Sequence, residues 1–298
     1  MEEGCGKMIK KSTGDKLFKY IITAIMSIVA VIALIPLFSV LAMSLSSKSA
    51  VDANMVTMWP VRFTLDSWKF TLTYPALWRA FAITLFSTVT GTFIALLLTA
   101  LAAYPLSKKK FRLSGIIMMS IVITMIFRAP TVPYFLTLRN LGFYNNILVL
   151  IFPHVISAYN LAIMRTFFRE FPAEVEEAAT IDGCGSFQLL FRIVLPSSLA
   201  VLATVGLFYA VTFWNQFQHP LMFIQDPRLY PLQLKIRQLI NESNELLMEI
   251  NSASPTANFN DRTLRAATVI FAIIPIIAVY PYLQKHFVKG AMLGSVKG

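Results

Sequence analysis

Long apolar runs without any charged residue recur along this sequence. The first extends from Tyr20 to Ser44 and the second from Ala80 to Leu106. With a rise of about 1.5 Å per residue, a helix of either length crosses the ~30 Å hydrocarbon layer of a bilayer. A soluble core would instead scatter its apolar residues at helical or strand periods. The pattern therefore predicts membrane-spanning helices.

Four further segments complete the predicted set of spans. The third, Leu113 to Phe127, is short, and Arg128, Pro130 and Pro133 interrupt the apolar sequence before it resumes to Leu138, so we expect a broken or kinked span. The others are Asn140 to Met164, a segment from after Pro196 to about Asn215, and Ala266 to Gln284. The sequence thus predicts an all-α, polytopic membrane protein with about six transmembrane helices.

Composition supports a membrane protein and argues against a nucleic-acid-binding one. Hydrophobic residues make up 56% of the 298 positions and charged residues 14%, which is too apolar for a soluble domain of this length. The net charge is +11, but the basic residues lie mostly at the ends of apolar runs, as membrane topology requires. Cys5 and Cys184 are both predicted in the reducing cytoplasm, so no disulfide is expected.

The distribution of Lys and Arg predicts the orientation. Six crossings place both termini on one side, and that side receives 15 of the 26 Lys and Arg residues against 11 on the other. We therefore expect the N-terminal segment 1–19 and the tail 289–298 in the cytoplasm, with a permease domain over 20–288. The segments 45–79 and 219–265 would be external loops. They would either dock a partner outside the membrane or serve as solvated connectors.

The loop between the fourth and fifth spans, residues 170–196, carries the most specific pattern. Pro172 can begin a short helix whose first turn is acidic, as suits the positive end of a helix dipole. Gly183 and Gly185 permit a sharp turn before the amphipathic run Phe187 to Ile193. These features predict a compact helix-turn-helix that projects from the membrane and continues directly into the fifth span. An interfacial helix lying against lipid headgroups would explain the amphipathic run but not the spacing of alanine and glycine.

The same loop resembles the EAA loop of ABC-importer permeases. The residues that this resemblance assigns to contact with an ATPase are Glu177, Ala178, Ala179, Asp182, Gly183, Ile193, Leu195 and Pro196. In span number, in loop position and in its Trp214-Asn215 pair, the chain resembles the carbohydrate-uptake ABC permeases. Their branch contains the maltose-importer MalG subunit, and the sequence is most similar to LplC-like permeases. The tail Gly294 to Gly298 also resembles that branch, in which it reaches toward the ATPase dimer.

The resemblance implies a heteromeric importer in the bacterial inner membrane. Its other parts would be a homologous second permease, two ATP-binding subunits in the cytoplasm and an extracytoplasmic solute-binding protein. The substrate would be an oligosaccharide or polysaccharide, including acidic ones such as alginate. The sequence contains no G-x-x-x-x-G-K-[ST] phosphate loop, so we expect no cofactor on this chain and ATP hydrolysis by the partner subunits. ATP-driven closure of those subunits would rock the spans between inward-facing and outward-facing states.

A saccharide pathway needs hydrogen-bonding groups and aromatic faces, because hydroxyls exchange water for protein partners while sugar rings stack on flat surfaces. The residues with these properties at plausible depth are Arg128, Tyr159, Asn160, Trp214, Asn215, Gln216 and Gln218. Each could instead serve as an interhelical hydrogen bond or an interfacial anchor. Arg128 could face an acidic sugar or extend to the outer interface.

Other kinds of site and other functions are disfavoured. His154 is interpreted as a satisfied packing residue and not as a metal ligand, because neither His219 nor His286 lies at ligand spacing from it in the sequence. No nucleophile and base can be paired, so we expect neither a metal site nor catalytic residues, and the chain is not predicted to be an enzyme. The main alternative, an ion-coupled secondary transporter, usually needs carboxylates inside its spans.

Overall fold

A computed structural model describes residues 13–127, 129–241 and 259–295 of the chain. Within these ranges the regular structure is helical, apart from an isolated antiparallel bridge between Ser46 and Phe63. The predicted all-α class is therefore confirmed. In chain order the helices are α1 (Thr13–Ser44), α2 (Lys48–Asp52), α3 (Asp66–Thr73), α4 (Pro75–Ser107), α5 (Ser114–Ile126), α6 (Thr131–Asn140), α7 (Ala158–Arg169), α8 (Ala173–Ile181), α9 (Ser186–Leu189), α10 (Leu195–Ser197), α11 (Leu199–Trp214), α12 (Gln218–Phe223), α13 (232–241) and α14 (Asp261–Ser295).

Three short 3₁₀ segments and one π-turn supplement these helices. The 3₁₀ segments are Ile147–Leu150, Phe152–His154 and Pro227–Leu229, and the π-turn is Leu190–Val194. The described residues form two compact units. Of the described residues, the first unit contains 13–71 and 259–270, and the second contains 72–127, 129–241 and 271–295.

In the first unit, α1 has an exposed apolar surface of the kind that contacts lipid or another protein chain. Between Leu17 and Ser44 only Ala42 and Ser44, at the end of the helix, are buried within this chain, and side chains such as Ile28 and Val31 are each 60% exposed. In water such exposure would cost free energy, whereas in a bilayer it does not. The apolar character around the whole helix is thus explained by a nonaqueous environment.

The segment after α1 is held by polar contacts inside the first unit. Trp68 donates its indole N–H to the Ser44 hydroxyl at 3.2 Å, and Arg262 donates to the Asn54 side-chain oxygen at 3.0 Å. The Phe70 and Phe259 rings lie 5.4 Å apart. The part of the predicted external loop 45–79 that belongs to this unit, residues 45–71, is therefore folded, and it contains α2 and most of α3.

In the second unit, the core lies where α4 packs against α7 and α11. The Tyr209 hydroxyl hydrogen-bonds to the Thr99 hydroxyl at 2.7 Å and accepts the Ser157 backbone N–H at 3.0 Å, so one side chain joins all three helices. At Gly91, a Cβ atom would lie 2.7 Å from the Phe213 ring. Small residues let helices approach closely in membranes, where association depends on packing and hydrogen bonds.

The predicted number of spans agrees with the structure. Among the described residues, four helical segments are long and apolar enough to cross a membrane: Leu17–Ser44, Pro75–Ser107, Leu199–Phe223 and Asp261–Val279. Two bent helix pairs bring the number to six if each pair is one span. The first pair, α5 and α6, is bent by 116°, which agrees with the predicted break in the third span.

The fourth span differs from its predicted bounds. Its pair joins Ile147–His154 to α7 at a bend of 46°. The predicted start at Asn140 is wrong because that residue ends α6, and a turn follows with Gly142 at φ +81° and Asn145 at φ +52°. Residues 1–12, 242–258 and 296–298 lie outside the described residues, and with them parts of the predicted N-terminal segment, second external loop and C-terminal tail.

Candidate functional site

The predicted helix-turn-helix is present, and its first helix follows local rules. Pro172 is the N-cap residue of α8. Glu174 and Glu176 lie in its first turn, where the positive end of the helix dipole stabilises their negative charge. Gly183 has φ +83°, and its N–H donates to Thr180 at 3.1 Å. The Cys184 N–H donates to Ala179 at 3.0 Å, which completes a Schellman motif. The positive φ explains why glycine occupies position 183.

The second helical segment of the helix-turn-helix continues without interruption toward the fifth span. It consists of α9, the π-turn Leu190–Val194 and α10, and α11 begins after Ser198. Pro196 has no N–H to donate to Arg192 and its ring crowds that carbonyl, which accounts for a π-turn just before it. Gly185 has an ordinary φ of −70°, so the predicted need for a flexible glycine holds at position 183 but not at 185. We call residues 172–198 the knob.

The knob exposes some of the predicted coupling residues and buries others. Glu177, Ala178, Asp182, Gly183 and Pro196 are exposed. Ala179 is only 6% exposed and belongs to the chain's own core, against which Ile193 and Leu195 also pack. The structure thus separates the two alanines, although the sequence motif treats them as one pair. Of the predicted residues, the exposed ones are those that another protein could contact.

The two most exposed large apolar side chains of the knob are not among the predicted coupling residues. Ile181 is 85% exposed and Phe187 is 73% exposed. On α8, Ile181 lies one helical turn after the exposed residues Glu177 and Ala178, so that helix presents a carboxylate and apolar groups together. The sequence could have indicated this exposure, because Ile181 ends one short helix and Phe187 is near the start of the next. Both positions lie beside the turn and outside a periodic apolar stripe that would face the core.

An ion pair that the sequence analysis also missed attaches the knob to α4. Lys108 donates through Nζ to the Glu176 carboxylate and lies 4.2 Å above the Tyr104 ring centroid. Nearby, Arg165 donates through Nε to the Leu106 carbonyl at 2.8 Å. The two adjacent glutamates therefore differ, since Glu176 faces this chain while Glu177 faces outward.

The predicted pathway residues do not form one group. Tyr159 and Gln218 line a common cavity of about 780 Å³. Asn160 is 4% exposed, and Gln216, which is 7% exposed, donates its amide to the Leu150 carbonyl at 2.7 Å. The remaining positions are placed as follows: Trp214 is buried against Phe81, Asn215 donates to the carbonyl of Val211, and Arg128 lies outside the described residues.

The sequence interpretation of His154 needs correction. The structure brings His219 next to it, with ring centroids 4.3 Å apart, although 65 positions separate them in the chain. His154 is also not fully satisfied, because its Nδ1 is buried without a hydrogen-bond partner. Over the described ranges, no group of three or more His, Cys, Asp or Glu residues could hold a metal ion. Spacing along the sequence was therefore a poor guide to proximity here.

Beyond the fifth span, a polar turn fixes the end of α12. The Asn145 side-chain oxygen accepts the backbone N–H groups of Gln225 and Asp226 at 3.1 and 2.9 Å. Hydrogen bonds from Arg228 to the Asp226 carboxylate lower the pKa of that carboxyl below its usual value. The ionised acid is thus favoured in this turn, which ties the segment after α12 to the segment before the fourth span.

Comparisons with known proteins show the family of the chain. Residues 4–292 match the family of binding-protein-dependent transport system inner membrane components. The polygalacturonan/rhamnogalacturonan transport system permease protein YtcP of Bacillus subtilis strain 168 is 35% identical over 95% of this chain and 99% of its own length. The protein LplC of the same organism is 36% identical over 87% of this chain and 88% of its own.

A solved structure agrees in fold as well as in sequence. It is the crystal structure of a bacterial ABC transporter involved in the import of the acidic polysaccharide alginate. One of its chains superposes with a TM-score of 0.85 at 31% identity, and the match covers 93% of this chain and 99% of that one. These relatives are membrane permeases and not enzymes. The chain therefore belongs to the family of binding-protein-dependent transport system inner membrane components and is a multi-pass membrane protein.

Proposed function

We propose that this permease imports an oligosaccharide or polysaccharide by ATP-driven alternating access, with the knob as the surface that an ATPase subunit moves. The observation that carries the proposal is the knob itself, a folded helix-turn-helix that runs directly into α11 and presents Glu177 outward. A rigid protrusion connected to a span can pass on a displacement, whereas a mobile loop could not. The role of the other subunits follows from the family.

The knob has the surface chemistry expected of a docking element. Ile181 and Phe187 offer apolar area that water would otherwise contact, and exposed apolar patches commonly mark protein interfaces. Beside them, the exposed carboxylate of Glu177 suits a basic group on the partner. We propose that Ala178 and Gly183 allow the partner to approach closely, while Ala179, Ile193 and Leu195 hold the knob to the rest of the chain.

The proposed assembly contains a second permease, two ATP-binding subunits and an extracytoplasmic solute-binding protein. The termini and the knob would lie in the cytoplasm, as the excess of Lys and Arg on that side indicates. Polygalacturonan, rhamnogalacturonan and alginate in the names of the relatives support a complex saccharide as substrate, including an acidic one. No ATP site is proposed on this chain.

The test of the coupling role is the substitution Glu177→Lys in the full importer. We expect saccharide uptake to be lost, because the reversed charge would repel the basic partner group. Membrane insertion and amount of the permease should stay unchanged, because Glu177 is exposed in this chain. Uptake in membrane vesicles measures the first effect, and the amount of permease in the membrane fraction measures the second. Copurification of the ATPase subunit shows whether the partner still binds.

The matched control is Glu170→Lys, which makes the same charge change at an exposed glutamate just before the knob. Its uptake should remain close to that of the parent. Normal uptake by Glu177→Lys, or equal loss in both variants, would count against the coupling role of Glu177.

A further inference from the structure

A cavity of about 780 Å³ lies in the second unit beside the bend of the third span. Its walls come from both sides of that bend, from residues 153–159 and from α12. Its volume falls in the range of about 300–1,000 Å³ that is usual for small-molecule sites. The side chains with polar groups or aromatic faces on its wall include Tyr134, Ser157, Tyr159, Gln218 and His219. We call this space the α6–α12 cavity.

A histidine at the wall of the cavity is held in place from several sides. The Tyr134 hydroxyl and His219 Nε2 are 2.8 Å apart and hydrogen-bonded. The Phe223 ring stacks nearly parallel to the imidazole of His219 at a centroid distance of 6.1 Å, and His154 packs against it edge-on at 4.3 Å. Because the end of α12 is also fixed through Asn145, the imidazole of His219 has a defined orientation.

The chemistry of the described wall suits sugar hydroxyls. Of the lining side chains that the structure describes, none is a carboxylate, an ammonium or a guanidinium group. Imidazole, phenol, amide and hydroxyl groups both donate and accept hydrogen bonds, which is what a sugar hydroxyl needs when it leaves water.

An aromatic face is present on the same wall. The Tyr159 side chain is 55% exposed and lines the cavity, with the Phe208 ring 6.1 Å behind it. An exposed ring supported by a second ring offers a flat apolar surface for the C–H face of a sugar. Gln218 supplies an amide on the same cavity. Stacking and hydrogen-bonding groups are thus combined in one space.

We infer that the α6–α12 cavity is a saccharide subsite of the translocation pathway, in which Tyr159 stacks on a sugar ring and His219 and Gln218 hydrogen-bond its hydroxyls. Tyr134 is a positioning residue, because it orients His219 through its hydroxyl. This inference rests on the proposed import function. It concerns hydroxyl groups that neutral and acidic sugars share, so both kinds of sugar are suitable probes.

The test uses the complete importer in proteoliposomes, with radiolabelled oligogalacturonide and raffinose as an acidic and a neutral probe. The variants are His219→Phe, which removes the hydrogen-bonding nitrogens, and Tyr134→Phe, which removes one hydroxyl. We expect import per ATP hydrolysed to fall at least fivefold in His219→Phe and less in Tyr134→Phe. Tyr144→Phe is the control, because Tyr144 does not line the cavity.

A second readout separates a subsite from a structural role. In a chain with Cys5 and Cys184 replaced by serine, Gln218→Cys should react with a maleimide, and whichever of the two probes is imported should slow that reaction at least threefold during turnover. An unchanged reaction rate with the imported probe, or parental import by His219→Phe, would overturn the subsite. If the parent imported neither probe nor any other saccharide, the proposed function would fall together with the subsite.

Discussion

At the residue scale, an ion pair between Lys108 and Glu176 attaches the knob to the end of α4. Their side chains are 28% and 19% exposed, so solvent screens the pair only in part. The Lys108 ammonium also lies over the Tyr104 ring, a cation–π contact that adds to the attachment at this position. Displacement of α8 should therefore reach α4 through this pair as well as through the backbone that leads to α11.

This contact leads to a prediction for Glu176→Lys. Repulsion between two lysines should let α8 move without α4, and we expect saccharide import per ATP hydrolysed to fall roughly two- to thirtyfold, the effect of about 0.5–2 kcal/mol of coupling. The double variant Lys108→Glu with Glu176→Lys should recover most of the loss, because the pair is restored with its signs exchanged.

Import and ATP hydrolysis by reconstituted importer measure this effect. Glu170→Lys is the control, because it makes the same charge change at an exposed glutamate that is not part of the pair. If the double variant were as impaired as the single one, the pair would not be a mechanical link and the loss would have another cause.

At the scale of elements, the turn between α8 and α9 depends on one glycine. Gly183 has φ +83°, and a Cβ there would meet nothing within 4 Å, so the cost of a side chain comes from the backbone alone. Gly185 is equally open but has φ −70°. The two glycines therefore form a matched pair that separates backbone strain from crowding.

We predict that Gly183→Ala weakens the turn by about 1–2 kcal/mol, the cost of the left-handed conformation for a residue with a Cβ. Amide exchange at Cys184, whose N–H closes the turn onto Ala179, should rise roughly five- to thirtyfold. Gly185→Ala should leave that exchange rate nearly unchanged. Equal rates in both variants would show that the positive φ of Gly183 is not what the turn requires.

At the scale of the whole molecule, the proposed orientation can be tested with the native cysteine of the knob. In a Cys5→Ser chain, Cys184 should react with a membrane-impermeant maleimide in inside-out vesicles and not in intact cells, because the knob is proposed to lie in the cytoplasm. A Thr57→Cys substitution in a cysteine-free chain should show the opposite pattern, since Thr57 is an exposed residue of the predicted external segment.

Labelling of Cys184 only from outside the cell would overturn both the orientation and the coupling role of the knob. Labelling of positions 57 and 184 from the same side would instead mean that the chain crosses the membrane an even number of times between them, and not three times as predicted. In either case membrane insertion is checked by the same reagent after detergent treatment, when both cysteines should react.

The sequence by itself determined the class, the number of spans and the position of the knob. These features depend on properties that are local in the chain. A run of apolar residues crosses lipid wherever it stands, Pro172 favours a helix start, and Gly183 favours the turn that ends α8. The predicted break of the third span followed in the same way from Pro130 and Pro133.

Tertiary structure decided which distant residues meet. Lys108 and Glu176 are 68 positions apart, and Tyr134 and His219 are 85 positions apart, yet each pair is in direct contact. The hydrophobic pattern shows which segments are helices that avoid water. It does not show which helices pack together or in what register, because an apolar helix surface can contact either lipid or another helix. The α6–α12 cavity and the inward side of the knob exist only through that packing.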